Sequence, residues 1–244
     1  MKSCAIMQPA YLPWPGFFNL LATSNVFVVL DDAQFQRSSW HCRNRVLIQG
    51  RAAYLSVPIR RTGLKTKICD AQIDYSREWR REHENSVRQA YSKTPGGGLL
   101  VETLSQIWAD RPTNLLTLNL AIMKSLAGLL KINTQIELAS ALDIKGERSE
   151  RLLKICESLR ANHYLSPKGS EQYLAEDGFE KQQSVSLHLQ DFNPGRYPQQ
   201  GIAEHVPFLS TVDLIANIGP ELAREYVLSP SFPTYTGGSS HNAS

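Results

Sequence analysis

Residues 26–30, Val-Phe-Val-Val-Leu, form an uninterrupted β-branched and aromatic run that ends on two adjacent carboxylates, Asp31 and Asp32. A strand with one wet face alternates apolar and polar residues. A run that is apolar on both parities needs cover on both faces, which is the condition of a strand inside a parallel sheet. Upstream, Ala5-Ile6-Met7 closes on Gln8-Pro9, and Pro13, Pro15 and Gly16 break the chain before residues 17–24, which read as a short helix. Strand, loop, short helix and buried strand is the order of a βαβ unit. The expectation is a mixed α/β fold with a mainly parallel sheet, its first strand near 3–7, its second near 26–30, and the two adjacent.

The rest of the chain is consistent with one α/β domain over 1–228. Residues 45–48 and 53–57 read as a hairpin turned by Gly50. Ser76 is placed to cap a charged helix over 77–91, with Trp79, His83, Val87 and Tyr91 at helical spacing. Pro95-Gly96-Gly97-Gly98 is the strongest loop punctuation. Helices are expected at 99–108, 114–130, 147–159 and 211–218, and short strands at 136–140, 164–166 and 185–189. The section from about 76 to 160 is therefore helix-rich. Residues 229–244, rich in Ser, Pro, Gly and Thr, read as a disordered tail.

A chain of 244 residues buries a core without staples. Its four cysteines stand far apart with no CxxC spacing, so no metal site is expected and a reducing, cytoplasmic location suits them. A net charge of +3 falls short of a nucleic-acid binder, and no apolar stretch is long enough to span a membrane.

Candidate chemistry concentrates in residues 8–45. Ligands of open α/β sheets bind outside the carboxyl ends of the strands. Parallel strands ending near Met7 and Leu30 deliver Gln8 and Asp31 to one edge. Gln8, Tyr11, Asp31, Asp32, Gln34, His41, Arg43 and Arg45 are accordingly expected around one pocket. Each has a plainer reading. Tyr11 and Trp14 suit core packing as well as stacking on a ligand, and paired acids after a strand commonly cap turns. Two arginines of one strand parity form either a solvated face or an anion site. Cys42 points opposite to His41 in extended chain, so the two make no nucleophile–base pair. No GxSxG, Walker A, HExxH or GxGxxG pattern occurs.

The stretches QPAYLPWPGFF, VFVVLDDAQF and WHCRNRV resemble the WbqC-like family, and RLLKICESLRANHYLSPKGSEQYL and FLSTVDLIANIGP extend the likeness over roughly residues 3–220. The resemblance implies a role in bacterial O-antigen, lipopolysaccharide or related biosynthesis, and an acyl- or aminoacyl-transferase that forms an amide on an amino sugar or similar amine. Such a reaction needs a base, oxyanion donors and cations for phosphates. Asp31, Asp32 or His41 fit the base, Gln8, Gln34 and Asn44 the orienting of the acyl group, Arg43 and Arg45 the phosphates, and Tyr11 or Trp14 the stacking. The implied partners are a small or carrier-bound amine, such as a nucleotide sugar, an acyl or aminoacyl thioester, and an acyl-carrier protein. A more distant likeness to pantothenate synthetase implies a Rossmann-like, nucleotidyl-transferase-like sheet. That family's HxGH loop falls on Trp14-Pro15-Gly16-Phe17, where the glycine stands without the histidines. An ATP-dependent ligase is thus the alternative, beside a non-catalytic sugar-carrier-binding module. Ser166 and Lys168, in the turn ending at Gly169, form either a second anion-binding segment or an ordinary surface turn.

Overall fold

The computed structural model describes residues 1–61, 63, 65–179, 184–202 and 204–229. Five strands, β1 (Ser3–Met7), β2 (Val26–Val29), β5 (Gln135–Leu138), β6 (His163–Ser166) and β7 (Ser186–Leu189), form one parallel sheet in the order β5-β2-β1-β6-β7. β1 pairs with β2 from Cys4↔Val26 to Met7↔Val29, as the sequence predicts. The chain builds outward from β1 to β5, then returns to the other side of β1 for β6 and β7. The strand order therefore reverses between β1 and β6, the switch point at which such sheets open a crevice.

Side-chain alternation divides the core between the two faces. Ala5, Phe27 and Val29 join a large cluster with α1 (Pro15–Thr23), α2 (Trp79–Tyr91), α3 (Gly97–Ala109), α4 (Leu115–Leu129) and α8 (Thr211–Leu228). Cys4, Ile6, Val26 and Val28 meet a smaller cluster with α6 (Arg148–Ser158) and α7 (Glu171–Glu176). Both parities of β1 and β2 are buried, and each fully buried Val, Ile or Phe among them contributes roughly 1.5–3 kcal/mol. This is why the run at 26–30 carries no polar residue.

The hairpin, β3 (Arg43–Ile48) and β4 (Arg51–Ser56), pairs in antiparallel register but stays outside the parallel sheet as its own two-stranded ribbon. Ser76 does not cap α2. The Asp74 carboxylate accepts its N–H at 2.9 Å, and the helix starts three residues later without a side-chain cap. The last helix runs on past Ile218, because Gly219 (φ 79°) turns the chain and Pro220 restarts it as a first-turn proline. The tail reading lies outside the described residues beyond Ser229. No helix among the described residues is long and apolar enough to cross a membrane.

Pro95-Gly96-Gly97-Gly98 leads directly into α3, and two of its glycines are there for close approach. A Cβ on Gly96 would overlap the Ile215 carbonyl oxygen, and one on Gly97 the Tyr91 carbonyl oxygen, whereas Gly98 has open space. Gly97→Ala should cost ~1–3 kcal/mol or more of stability in urea unfolding, since backbone and not a flexible side chain blocks it. Gly98→Ala should be neutral or stabilise by up to ~1 kcal/mol. Equal effects at the two positions would refute this packing.

Candidate functional site

The loop leaving β1 carries Gln8 to Trp14 across the carboxyl edge of the sheet. It is pinned by the hairpin. Asn44, buried on β3, donates from its amide to the carbonyls of Leu12 (2.8 Å) and Tyr11 (3.2 Å), while its Oδ1 accepts the Arg45 N–H. Leu12 has φ 46°, a left-handed conformation that a branched side chain rarely adopts, so the Asn44 bonds hold a strained turn. Arg45, the next residue, donates from Nη2 to the carbonyl of Phe208 at 3.0 Å, and Phe208 too has a positive φ, 58°. Two successive residues of one strand thus brace two strained loops.

Between these loops lies a cavity of about 520 Å³. Met7, Gln8, Pro9, Ala10, Trp14 and Phe17 line it from β1 and α1; Gln36, Ser39, Trp40 and His41 from the loop before β3; Asn44, Arg45 and Phe208 close it. Trp14 lies over Gly16, where a Cβ would overlap the indole. Trp40 and Phe208 are half exposed or more, aromatic groups that a ligand can cover.

The polar lining is Gln8, Gln36, Ser39, His41, Asn44 and Arg45. His41 Nδ1 faces the Gln36 N–H at 3.4 Å, so its proton sits on Nε2, which donates to Gln8 Oε1 at 2.8 Å. That bond orients the Gln8 amide and leaves its NH2 group to donate. Arg45 Nε is buried without a partner, a cation whose hydrogen-bonding capacity is incompletely used. Burial lowers the His41 pKa to about 4, so the ring is neutral at neutral pH. The cavity therefore presents apolar walls, one neutral imidazole and donors from Gln8 and Arg45, a set matched to a carbonyl or anion on an apolar or planar body.

The other sequence candidates stand elsewhere. Tyr11 is buried in a relay of rings: Trp108 Nε1 donates to its oxygen at 3.2 Å, and its hydroxyl donates to His83 Nδ1 at 2.8 Å. Asp31, fully buried at the end of β2, accepts from the Ser140 N–H and hydroxyl at 2.9 and 2.6 Å, capping the short helix α5 (Ala139–Leu142). Asp32 pairs with Arg151 of α6 at 2.6 Å. Gln34 is exposed in an antiparallel bridge to Lys67. Arg43 stacks over Tyr54, 4.5 Å from the ring centre, and faces a different groove. Ser166 is buried, its hydroxyl 3.5 Å from that of Tyr164, and exposed Lys168 lies 3.8 Å from Asp191. Of the twelve candidates, Gln8, Trp14, His41, Asn44 and Arg45 share the cavity. Sequence reading missed Trp40, Gln36 and Ser39, all beside His41, and Phe208. An aromatic residue after Pro207 with no periodic role was the one available signal for Phe208.

The chain matches the WbqC-like protein family over residues 8–225. It belongs to that family. The matched span contains every cavity residue except Met7. Among curated proteins it is 28% identical over 223 residues to the uncharacterized protein Rv1507c of Mycobacterium tuberculosis, covering 91% of this chain and 96% of the relative. No solved structure matches. The WbqC-like match and the geometry thus bear on the same loops.

His41 and His83 both have pKa values lowered to about 4, chiefly by burial. In the unfolded chain they titrate near 6.5. Between these values the unfolded state binds more protons, so their contribution to stability is full above about pH 6.5 and is lost as pH falls toward about 4. In an NMR titration both imidazoles should stay neutral down to pH 5. Either one titrating near pH 6.5 would contradict its burial.

Proposed function

We propose that this WbqC-like chain is an acyl- or aminoacyl-transferase that forms an amide on a small or carrier-bound amine, with the cavity at the end of β1 as its site. The supporting observation is the convergence of His41, Gln8 and Arg45 within aromatic walls at the carboxyl edge of a doubly wound sheet. Binding alone needs no imidazole there; acyl transfer needs donors for the oxyanion and a group to move one proton.

The amine nitrogen attacks the carbonyl carbon of a thioester, the C–N bond forms, and the C=O π pair moves onto oxygen. The Gln8 NH2 group and the Arg45 guanidinium stabilise that oxyanion. His41 Nδ1, loosely engaged by the Gln36 N–H, accepts the ammonium proton. Transfer to a ring held near pKa 4 is uphill, and is possible because the attacking nitrogen is far more acidic in the tetrahedral adduct than as the free ammonium. Collapse of the oxyanion breaks the C–S bond, and the thiolate takes the proton back from His41. Trp14, Trp40 and Phe208 cover the apolar part of the ligand. Asp31 and Asp32 act in this scheme as frame residues. A cytoplasmic place in O-antigen or related polysaccharide assembly follows the family resemblance, with an amino sugar on a nucleotide as acceptor.

The test is a mass-spectrometric search for amide product from short acyl and aminoacyl thioesters with nucleotide-linked amino sugars. His41→Gln should lower kcat by at least ~100-fold, about 2.7 kcal/mol, with KM nearly unchanged. Arg45→Gln should weaken substrate use by ~1.5–3 kcal/mol through the lost charge-assisted bond. Turnover indifferent to His41→Gln would overturn the assignment. Product formed only with ATP and Mg²⁺ would replace it by a ligase, and nucleotide-sugar binding without product from any donor by a non-catalytic module.

A further inference from the structure

The segment 35–45 has two sides. Gln36, Ser39–His41, Asn44 and Arg45 face the cavity, whereas Phe35, Arg37, Ser38, Cys42 and Arg43 line a second groove of about 460 Å³. The far wall of that groove is Ser56–Ile59 with Asp74, Ser76 and Arg77. The stretch of sequence that supplies this lining is strongly basic: eleven of the chain's 26 Lys and Arg lie in residues 37–81, against three of its 23 Asp and Glu, and three of the eleven, Arg37, Arg43 and Arg77, line the groove itself.

Two of the guanidinium groups are held in place. Arg37 Nη2 donates to the Arg60 carbonyl at 3.1 Å, and Arg43 is stacked on Tyr54. Among the described residues no salt bridge engages Arg37, Arg43, Arg60 or Arg77. The one carboxylate in the lining, Asp74, is already engaged by the Ser76 N–H and lies in the field of Arg60 and Arg77. That leaves Arg37 and Arg43 uncompensated across from Arg77, with the hydroxyls of Ser38 and Ser56 also in the lining. Several guanidinium forks and hydroxyls in one lining match the several oxygens of a phosphate better than a single carboxylate.

We propose that this groove is an anion site for a phosphomonoester or diphosphate group, separate from the cavity by the thickness of one chain segment and independent of the acyl-transfer reading. The size of the groove admits a diphosphate with an attached group, so the same chemistry serves a free phosphate or a nucleoside diphosphate.

Isothermal titration of the full chain with inorganic pyrophosphate and, separately, with UDP at low ionic strength tests this. Stoichiometric binding of pyrophosphate is expected, weakened at least tenfold in the Arg37→Gln/Arg77→Gln variant. Both positions are exposed, so its urea midpoint should match that of the parent. Arg45→Gln, which alters the cavity alone, should leave pyrophosphate binding unchanged, so this site and the acyl-transfer site fail separately. Tighter binding of UDP than of pyrophosphate would assign the groove to a nucleotide source, and equal binding to phosphate alone. No heat with either probe, binding untouched by the double substitution, or binding of poly-glutamate in place of pyrophosphate would overturn the proposal.

Discussion

The cavity depends on the amide of Asn44. Two adjacent carbonyls, those of Tyr11 and Leu12, point away from any ladder because the chain turns left-handed at Leu12. Buried carbonyls without donors cost ~1–3 kcal/mol each, and a strained branched residue adds ~1–3 kcal/mol. One buried side chain offsets both, with its own oxygen satisfied by the Arg45 N–H. The loop that carries Gln8 and Trp14 is therefore fixed by the hairpin outside the sheet, not by the sheet that delivers it. Asn119 of α4 adds a second tie by donating to the His41 carbonyl at 2.8 Å.

Behind this frame stands another buried group. Asp213, in the first turn of α8, accepts from Tyr197 (2.7 Å), Tyr91 (2.8 Å) and Gln199 (3.0 Å). Burial raises its pKa, while the three donors and the helix N-terminus favour its charged form. The Tyr91 hydroxyl also accepts the Leu47 N–H of β3. The same helix start donates from Ser210 N–H to the Arg45 carbonyl and from Thr211 N–H to the Pro13 carbonyl. The start of α8 thereby ties β3 to the β1 loop, and the short link from Ser210 back to Phe208 sets where that ring closes the cavity.

How far the sequence disclosed this follows from the range of each interaction. The strands and most helices were legible because their signals are local: β-branched runs at 26–30 and helical spacing at 79, 83, 87 and 91; Pro15, read as a break before the helix, in fact opens it. The parallel pairing of β1 with β2 placed Gln8 and Asp31 at one edge as expected. The fate of the two acids was not legible. Their partners, Ser140 and Arg151, lie 109 and 119 residues away, and nothing near Asp31 or Asp32 names them. Strand parity likewise puts Arg43 and Arg45 on one face, but Tyr54 draws the first to the groove and Phe208, 163 residues distant, draws the second to the cavity.

That separation gives the pair of arginines different physics from one another. Arg45 has its Nε shut away from water without a partner and one Nη donor spent on a carbonyl, so an incoming oxygen can satisfy a buried donor. Arg43 keeps its charge near solvent over a tyrosine face, where attraction for an anion is real but weakened by ions. Two arginines of one strand thus serve two separate pockets, one gripping by orientation and the other by field. The segment leading into that strand, which carries His41, is the wall that the two sites share.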